Sequence, residues 1–360
     1  MLCKLQVCAQ RKAKIKSITN HPYFGFFLIT LLMLLVQFLQ LIGISIPVAV
    51  MRAFGLTMIY IIVALGFSIL LGYAGLASLG TAGFVGVGTY LLGYLTNHNG
   101  FSIFLIIIIT ILGAVLIGTI VGFISLRIEG MYLAIITLGL SEILNEIFKN
   151  ASAITNGTNG LGINSIVLFS NYISINNNTI FIIMAFVMFL MMVFTLNIIK
   201  SPTGRAMLAM RNSESAAQAM GVSVFKYRLL AFIISTVYAL LGGVIYMSYI
   251  SFTIPSTWTL GFSLNILAAV IVGGSQSIYG IVLGTFMIFG LNLSVLQQIP
   301  FFIENPAVSI VFNGILIVVV IMFYPGGLVR LVMSLKVKLT QLFNKWKKQR
   351  REFKYGKDME

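Results

Sequence analysis

Glu142 and Glu146 are the acidic side chains best spaced to act together. They stand four residues apart within an apolar run, with Asn145 between them, so one helix face carries both carboxylates. A charge at the centre of a bilayer costs about 2.5–3.5 kcal/mol, so such a pair either serves a pathway or sits at an interface. Lys149, three residues after Glu146, favours an interfacial pair for that carboxylate. Glu142 lies about 6 Å deeper by helical rise and is a pathway candidate, although snorkelling or a protonated carboxyl would also account for it. Other chemistry is scarce. There is no Walker A sequence, no His-Glu-x-x-His and no Gly-x-Ser-x-Gly. The two histidines, His21 and His98, are far apart in sequence, whereas a zinc site needs three or four ligands. Cys3 and Cys8 lie in a basic N-terminal stretch and read as incidental or lipidated thiols, not as a disulfide. These residues point away from catalysis, and no metal or cofactor is implied.

The elements that must position them are built for lipid. The chain is 59% hydrophobic and 9% charged, with a mean hydropathy of +1.03. A helix needs about 20 mostly apolar residues to cross the hydrocarbon. Such runs lie at Tyr23–Ile44, Ala53–Leu71, Leu76–Leu95, Phe101–Leu126, Met131–Phe148, Thr179–Ile199, Leu229–Ile250, Thr259–Val272, Gly280–Gln297 and Ala307–Tyr324. This predicts an all-α polytopic bundle of about ten spans, the third and eighth the weakest. The runs are unbroken where a barrel would alternate. Of 23 basic residues, five precede Pro22, five lie in Lys200–Arg228 and ten follow from Arg330 onward. Six crossings and then four place all three clusters, with Arg127, in the cytoplasm, as the positive-inside rule asks. Arg52 and Lys149 are exceptions, and Arg52 argues against the first hairpin. The uncharged Asn150–Asn178 segment then faces outward. The net charge of +15 reflects this topology; no soluble face exists to bind nucleic acid. The N-terminal run is too long for a signal peptide and has no cleavage site, so it reads as a retained span.

Three stretches break the apolar text. Residues 201–228 predict two short helices, the second capped by Ser213 or Asn212, running through Glu214, Ala216, Ala217, Gln218 and Ala219, and stopped by Gly221. Alanines and a small polar face suit insertion into a groove of a separate motor protein; the alternative is a solvated loop that only orients the chain. Gly72–Gly93 and Gly261–Gly284 are rich in small residues. Gly118/Gly122 and Gly280/Gly284 keep the GxxxG spacing of close helix packing. A glycine-interrupted segment on each side of the central loop also suits discontinuous helices beside a substrate path, with a possible internal repeat. Toward the C-terminus Leu331, Leu335, Leu339, Leu342 and Trp346 alternate with lysines, the pattern of an amphipathic helix on anionic membrane lipid. The chain thus divides into a basic tail (1–22), a membrane domain (23–328) and a second basic tail (329–360).

From about Gly66 to Gly327 four blocks resemble the branched-chain amino-acid permease family of ABC importers, in particular its longer membrane subunit. They are GYAGLASLGTAGFVGVGTY (72–90), LRIEGMYLAIITLGLSEIL (126–144) followed by TNGTNGLGI (155–163), SPTGRAMLAMRNSESAAQAMGVSVFKYRLLAF (201–232), and IPSTWTLGFSLNILAAVIVGGSQSIYGIVLG (254–284). The third resembles the coupling motif of bacterial importers, with Ala216 and Gly221 at the motif's spacing and Ser215 where an acid is usual. The resemblance implies a permease in a bacterial cytoplasmic membrane, both termini inside. It would work with a paralogous permease subunit, two ABC ATPase subunits and an extracellular solute-binding protein. It further implies ATPase coupling through Gly204, Arg205, Arg211, Glu214, Ala216, Ala217 and Gly221, and pathway candidates Thr81, Glu142, Asn156, Ser263 and Asn265. The family often has His at Thr81, Gly at Asn156 and Glu at Asn265, and these departures leave urea or nucleosides open beside amino acids. A secondary transporter or channel acting alone, or a scaffold subunit, are the readings from other classes.

Overall fold

The computed structural model describes residues 22–43, 47–99, 101–126, 132–163, 177–294, 299–304, 306–324, 326–332, 334 and 341. The first basic tail with both cysteines and His21, Arg127, and most of the amphipathic C-terminal pattern lie outside them. The described chain is almost entirely helical: α1 (Pro22–Leu41), α2 (Val48–Ser68, prolonged by a π-turn over Ile69–Tyr73), α3 (Thr81–Asn99), α4 (Ile103–Ser125) and α5 (Tyr132–Asn150). A single turn, α6 (Ser152–Thr155), precedes α7 (Asn177–Lys200), α8 (Pro202–Asn212), α9 (Glu214–Ala219) and α10 (Val224–Ile250). The last elements are α11 (Leu260–Gly273), α12 (Ile278–Ser294, with a π-turn at Phe286–Gly290), α13 (Pro300–Glu304) and α14 (Pro306–Phe323). Two two-residue strands, β1 (Leu161–Gly162) and β2 (Phe252–Thr253), pair antiparallel with Leu161 opposite Thr253.

This is a polytopic helical membrane bundle. Six described helices, α1, α2, α4, α7, α10 and α11 with the turn before it, are long and apolar enough to cross a bilayer on their own account. The expectation of ten is not met by that measure. Helices also stand at the remaining four places: α3 and α5 are more polar, α12 is shorter, and α14 is an apolar helix of 18 residues. Glu142, Glu146 and Lys149 interrupt α5, and α12 is a short apolar helix. Two boundaries need correction. The third span begins at Thr81, not near Leu76, because residues 74–80 leave the helix. The central loop ends at Ser223, not Arg228, because α10 begins at Val224 and takes Lys226 and Arg228 into its first turns.

Helix α2 is the axis of the core, buried continuously from Thr57 to Leu70. The long helix α10 packs against α2, α3 and α4. Glycine permits the α3–α10 approach. A Cβ on Gly88 would enter the backbone at Leu240, and one on Gly243 the backbone at Val85. Both GxxxG pairs serve the same purpose: Gly118 and Gly122 seat α4 on α10, and Gly280 and Gly284 seat α12 on α11. Aromatic rings bind the other side, with Tyr60 4.4 Å from Phe289, Trp258 5.3 Å from Phe262 and Tyr246 4.9 Å from Trp258. Offset and edge contacts at such distances add to the area the rings bury.

Candidate functional site

Two regions stand out once the bundle is assembled. The first is the break before α3. Where α2 ends, the chain runs as non-helical backbone through residues 74–80, then resumes as a helix whose first amides have no intrahelical acceptor. Where they are buried, those amides must find partners in the protein, because no water is available to them. Three hydroxyls provide them. Thr137 Oγ1 on α5 accepts from the Leu79 amide at 3.0 Å and Ser141 Oγ from that of Gly83 at 3.1 Å. Ser263 Oγ on α11 accepts from the amide of Ala82 at 2.9 Å. Ser263 therefore bonds the residue next to Thr81, and the side chains of both candidates, drawn from the two glycine-rich segments, are buried at this junction. The sequence named that pair but missed Thr137 and Ser141, whose spacing on one face of α5 was the available sign.

The opposite face of α5 carries the acids. Leu133, Thr137, Ser141, Asn145 and Phe148 turn inward, whereas Tyr132, Ile135, Glu142, Ile143, Glu146 and Ile147 are exposed. Asn145 Nδ2 donates to the carbonyls of Pro255 and Trp258, both at 2.9 Å, locking the turn before α11 onto α5. Glu146 pairs with Lys149 at 2.7 Å, as their spacing suggested. Glu142, midway along this 19-residue helix, has no such partner among the described residues.

The second region is the central loop. Ser201 caps α8 by accepting from the Gly204 amide at 3.3 Å, and Ser213 caps α9 by accepting from that of Ala216 at 3.4 Å. Gly221 ends α9 at φ +80°, with its amide 2.9 Å from the Gln218 carbonyl and that of Val222 3.0 Å from the Ala217 carbonyl. This left-handed ending favours glycine.

Most of the loop candidates grip the bundle. Gly204 is buried where a Cβ would strike the carbonyls of Ile198 and Ile199. Arg205 Nη1 donates to the Lys200 carbonyl at 3.0 Å, closing the end of α7. Arg211 Nη1 donates to the Gly72 carbonyl at the end of α2, which also accepts from Gln276 Nε2 at 3.3 Å. Glu214 on α9 meets Arg228 on α10 at 2.6 Å. The alanine pair divides: Ala217 is buried and Ala216 is exposed. Outward from α9 stand Ser215, Ala216, Gln218, Ala219 and Met220, the last 85% exposed. Met220 escaped the sequence reading because an isolated methionine beside a glycine carries no pattern.

A family model described as "Branched-chain amino acid transport system / permease component" matches residues 49–321. The chain belongs to this family. The permease-family region takes in the whole of the junction, the α5 face and the loop. The chain is 32% identical over 256 residues to the high-affinity branched-chain amino acid transport system permease protein LivM of Escherichia coli, covering 65% of this chain and 60% of that protein. It is 26% identical over 239 residues to the probable branched-chain amino acid transport permease protein LivM of Methanocaldococcus jannaschii, covering 62% of this chain and 68% of that protein. An autoinducer 2 import system permease protein LsrC, from an Enterobacter species, matches at 27% over 138 residues, which is 36% of this chain and 40% of its own length. No solved structure matches.

Two remaining candidates sit apart from the permease junction. Asn156 occupies the left-handed region at φ 61°, and its Nδ2 donates to the Gly160 carbonyl at 2.9 Å. It therefore shapes the turn that leads into β1, and asparagine is among the few residues that tolerate that conformation. Asn265 is half-buried on α11, next to exposed Leu264 and two residues past the inward Ser263.

Proposed function

We propose that this chain is a membrane-spanning permease subunit of an ATP-binding-cassette importer for branched-chain amino acids, with ATP hydrolysed on separate subunits. The observation that carries the reading is the geometry of the loop. A small-residue helix presents Ala216, Gln218 and Met220 outward, while its flanks are tied to the ends of α2 and α10. A push on α9 therefore reaches the bundle through Arg211 at Gly72 and through Glu214 at Arg228. Gln276 joins the turn between α11 and α12 to the same carbonyl. A merely solvated loop has no need of such ties.

In this reading the loop and both termini face the cytoplasm of a bacterium. The helices α3, α5, α12 and α14 complete ten crossings, with α3 a discontinuous one. Two ATPase subunits dock below, and an extracellular solute-binding protein delivers the solute above. Glu142 supports the paralogous permease. An unpartnered carboxylate midway along a membrane helix is costly against lipid, by about 2.5–3.5 kcal/mol. A second subunit, or a watered pathway between the two, removes that cost by covering the outer face of α5.

The test is Ala216→Trp in the assembled importer. Ala216 points away from the bundle, so the variant is expected to insert and assemble normally. Its ATP hydrolysis stimulated by loaded binding protein should fall about tenfold or more, the scale of one lost central contact. Full stimulation in that variant would remove the docking assignment.

A further inference from the structure

Arg52 is one of the two basic residues that the charge pattern could not place, and unlike Lys149 it has no acidic neighbour in sequence. It sits in the first turns of α2, beside a cleft of about 470 Å³ at the end of the bundle farthest from the basic loop. Phe181 lines this cleft near the start of α7, whose other end is Lys200; Tyr249 and Ile250 line it at the end of α10, whose other end carries Lys226 and Arg228. Some 19 residues of helix, roughly 28 Å of rise, separate Phe181 from Lys200, about one hydrocarbon thickness. Positive residues are disfavoured on that side. An exposed arginine there calls for a local reason.

The cleft supplies one. Gln40 and Arg52 are its long polar side chains, and Val48, Phe181 and Ile250 give it an apolar wall. Tyr249 closes one side, with its ring over Gly55, one turn along from Arg52, and its hydroxyl donating to the Met51 carbonyl at 3.2 Å. The phenols of Tyr60, Tyr246 and Tyr249 lie within electrostatic range of the Arg52 charge. Among the described residues no carboxylate lines the cleft and none pairs with Arg52; the ion pairs there are Glu146–Lys149 and Glu214–Arg228. A guanidinium is a planar fork that suits a carboxylate, and this one is left for a carboxylate from outside the chain. A volume of this size with an apolar wall and few polar groups has the form of a small-molecule site.

We propose that the Arg52 cleft is an entry site for a small monocarboxylate with an apolar side chain, the guanidinium taking the carboxylate and Val48 and Ile250 the hydrocarbon, with Phe181 buried behind them. Without an acidic wall the cleft does not read an ammonium group. It accepts an amino acid and the corresponding 2-oxo acid alike, and it rejects the amide. The proposal rests on the importer reading above, since it treats this end as external and the ligand as solute.

The experiment uses the whole permease–ATPase complex in lipid nanodiscs without binding protein, with radiolabelled L-leucine as probe. Its 2-oxo acid should compete with leucine, while leucinamide should be roughly tenfold weaker or worse. Arg52→Gln should weaken leucine binding roughly 10- to 100-fold, the span expected for a charge-assisted hydrogen bond, and Arg52→Lys should restore part of it. Equal competition by leucinamide, unaltered binding in Arg52→Gln, or no leucine binding to the wild type would each overturn the proposal. In a parallel sample with loaded binding protein added, weakened docking to Arg52→Gln with free leucine binding intact would also overturn it, and would assign Arg52 to a protein contact. Co-purification of the ATPase and basal ATP hydrolysis, read on the same samples, report separately on the importer reading. If they hold while the leucine result fails, only the Arg52 site falls.

Discussion

The loop α8–α9 and the break before α3 solve one problem in opposite ways. Both leave the first amides of a helix without intrahelical acceptors. In the loop the acceptor is always three residues away, Ser201 for Gly204 and Ser213 for Ala216. At the break Ser78 accepts from the Gly80 amide locally, but the other acceptors come from other helices: Thr137 and Ser141 lie 58 residues from Leu79 and Gly83, and Ser263 lies 181 residues from Ala82. The difference follows from solvent. An exposed amide that loses its cap turns to water, whereas a buried one has no substitute and bears the full desolvation cost. The loop is therefore adjustable, and the junction is fixed by the bundle around it.

The sharpest way to break this contrast is to remove the distant acceptors. Thr137→Val with Ser141→Ala keeps the shape of α5 and strips partners from two amides. At about 1–3 kcal/mol for each orphaned group, the pair should cost about 2–6 kcal/mol. Thermal unfolding of the purified complex in lipid would register this as a large fall in midpoint. A midpoint within a degree or so of wild type would mean that the amides at Leu79 and Gly83 have other partners, and that the junction is no more rigid than the loop.

The same contrast explains what the sequence discloses. Gly221, and a cap at Ser213 or Asn212, could be read from the chain alone, because a cap and a left-handed stop are local features with strong residue preferences; the fold selects Ser213. The all-helical membrane bundle was equally legible from apolar runs and basic clusters. The break at residues 74–80 was visible only as glycine density, because what stabilises it stands far away in sequence. Long-range contacts also hid the division of labour in the loop. The resemblance grouped Arg205, Arg211 and Glu214 as coupling residues, and the fold adds that each also bonds a neighbour in its own chain. Ala217 looked equivalent to Ala216 until the fold buried it. Glu142 and Asn145 shared a segment and parted by facing opposite ways.

A smaller effect is expected from the local cap. Ser213→Ala should destabilise α9 by about 1 kcal/mol, the usual worth of such a cap, and leave the global unfolding midpoint near its wild-type value. Hydrogen exchange confined to residues 214–219 should quicken by about fivefold in the variant. A loss of global stability matching that of the Thr137/Ser141 double variant would show that the loop and the junction unfold as one unit.

The smallest effect concerns the tie between α9 and α10. Glu214 and Arg228 meet at 2.6 Å, but their side chains are 39% and 21% exposed. Solvent screening then leaves the pair roughly 0–1 kcal/mol of stability. Its value under the importer reading is mechanical, since it is one of the two ties that carry a push from α9 into the membrane. A double-mutant cycle with Glu214→Gln and Arg228→Gln should give a coupling energy below about 1 kcal/mol in unfolding that shrinks further in high salt. In binding-protein-stimulated ATP hydrolysis, either single variant should lose about as much as the double, because one broken end already slackens the tie. Additive losses would mean that Glu214 and Arg228 act on the ATPase independently, and would leave Arg211 at Gly72 as the route from loop to bundle.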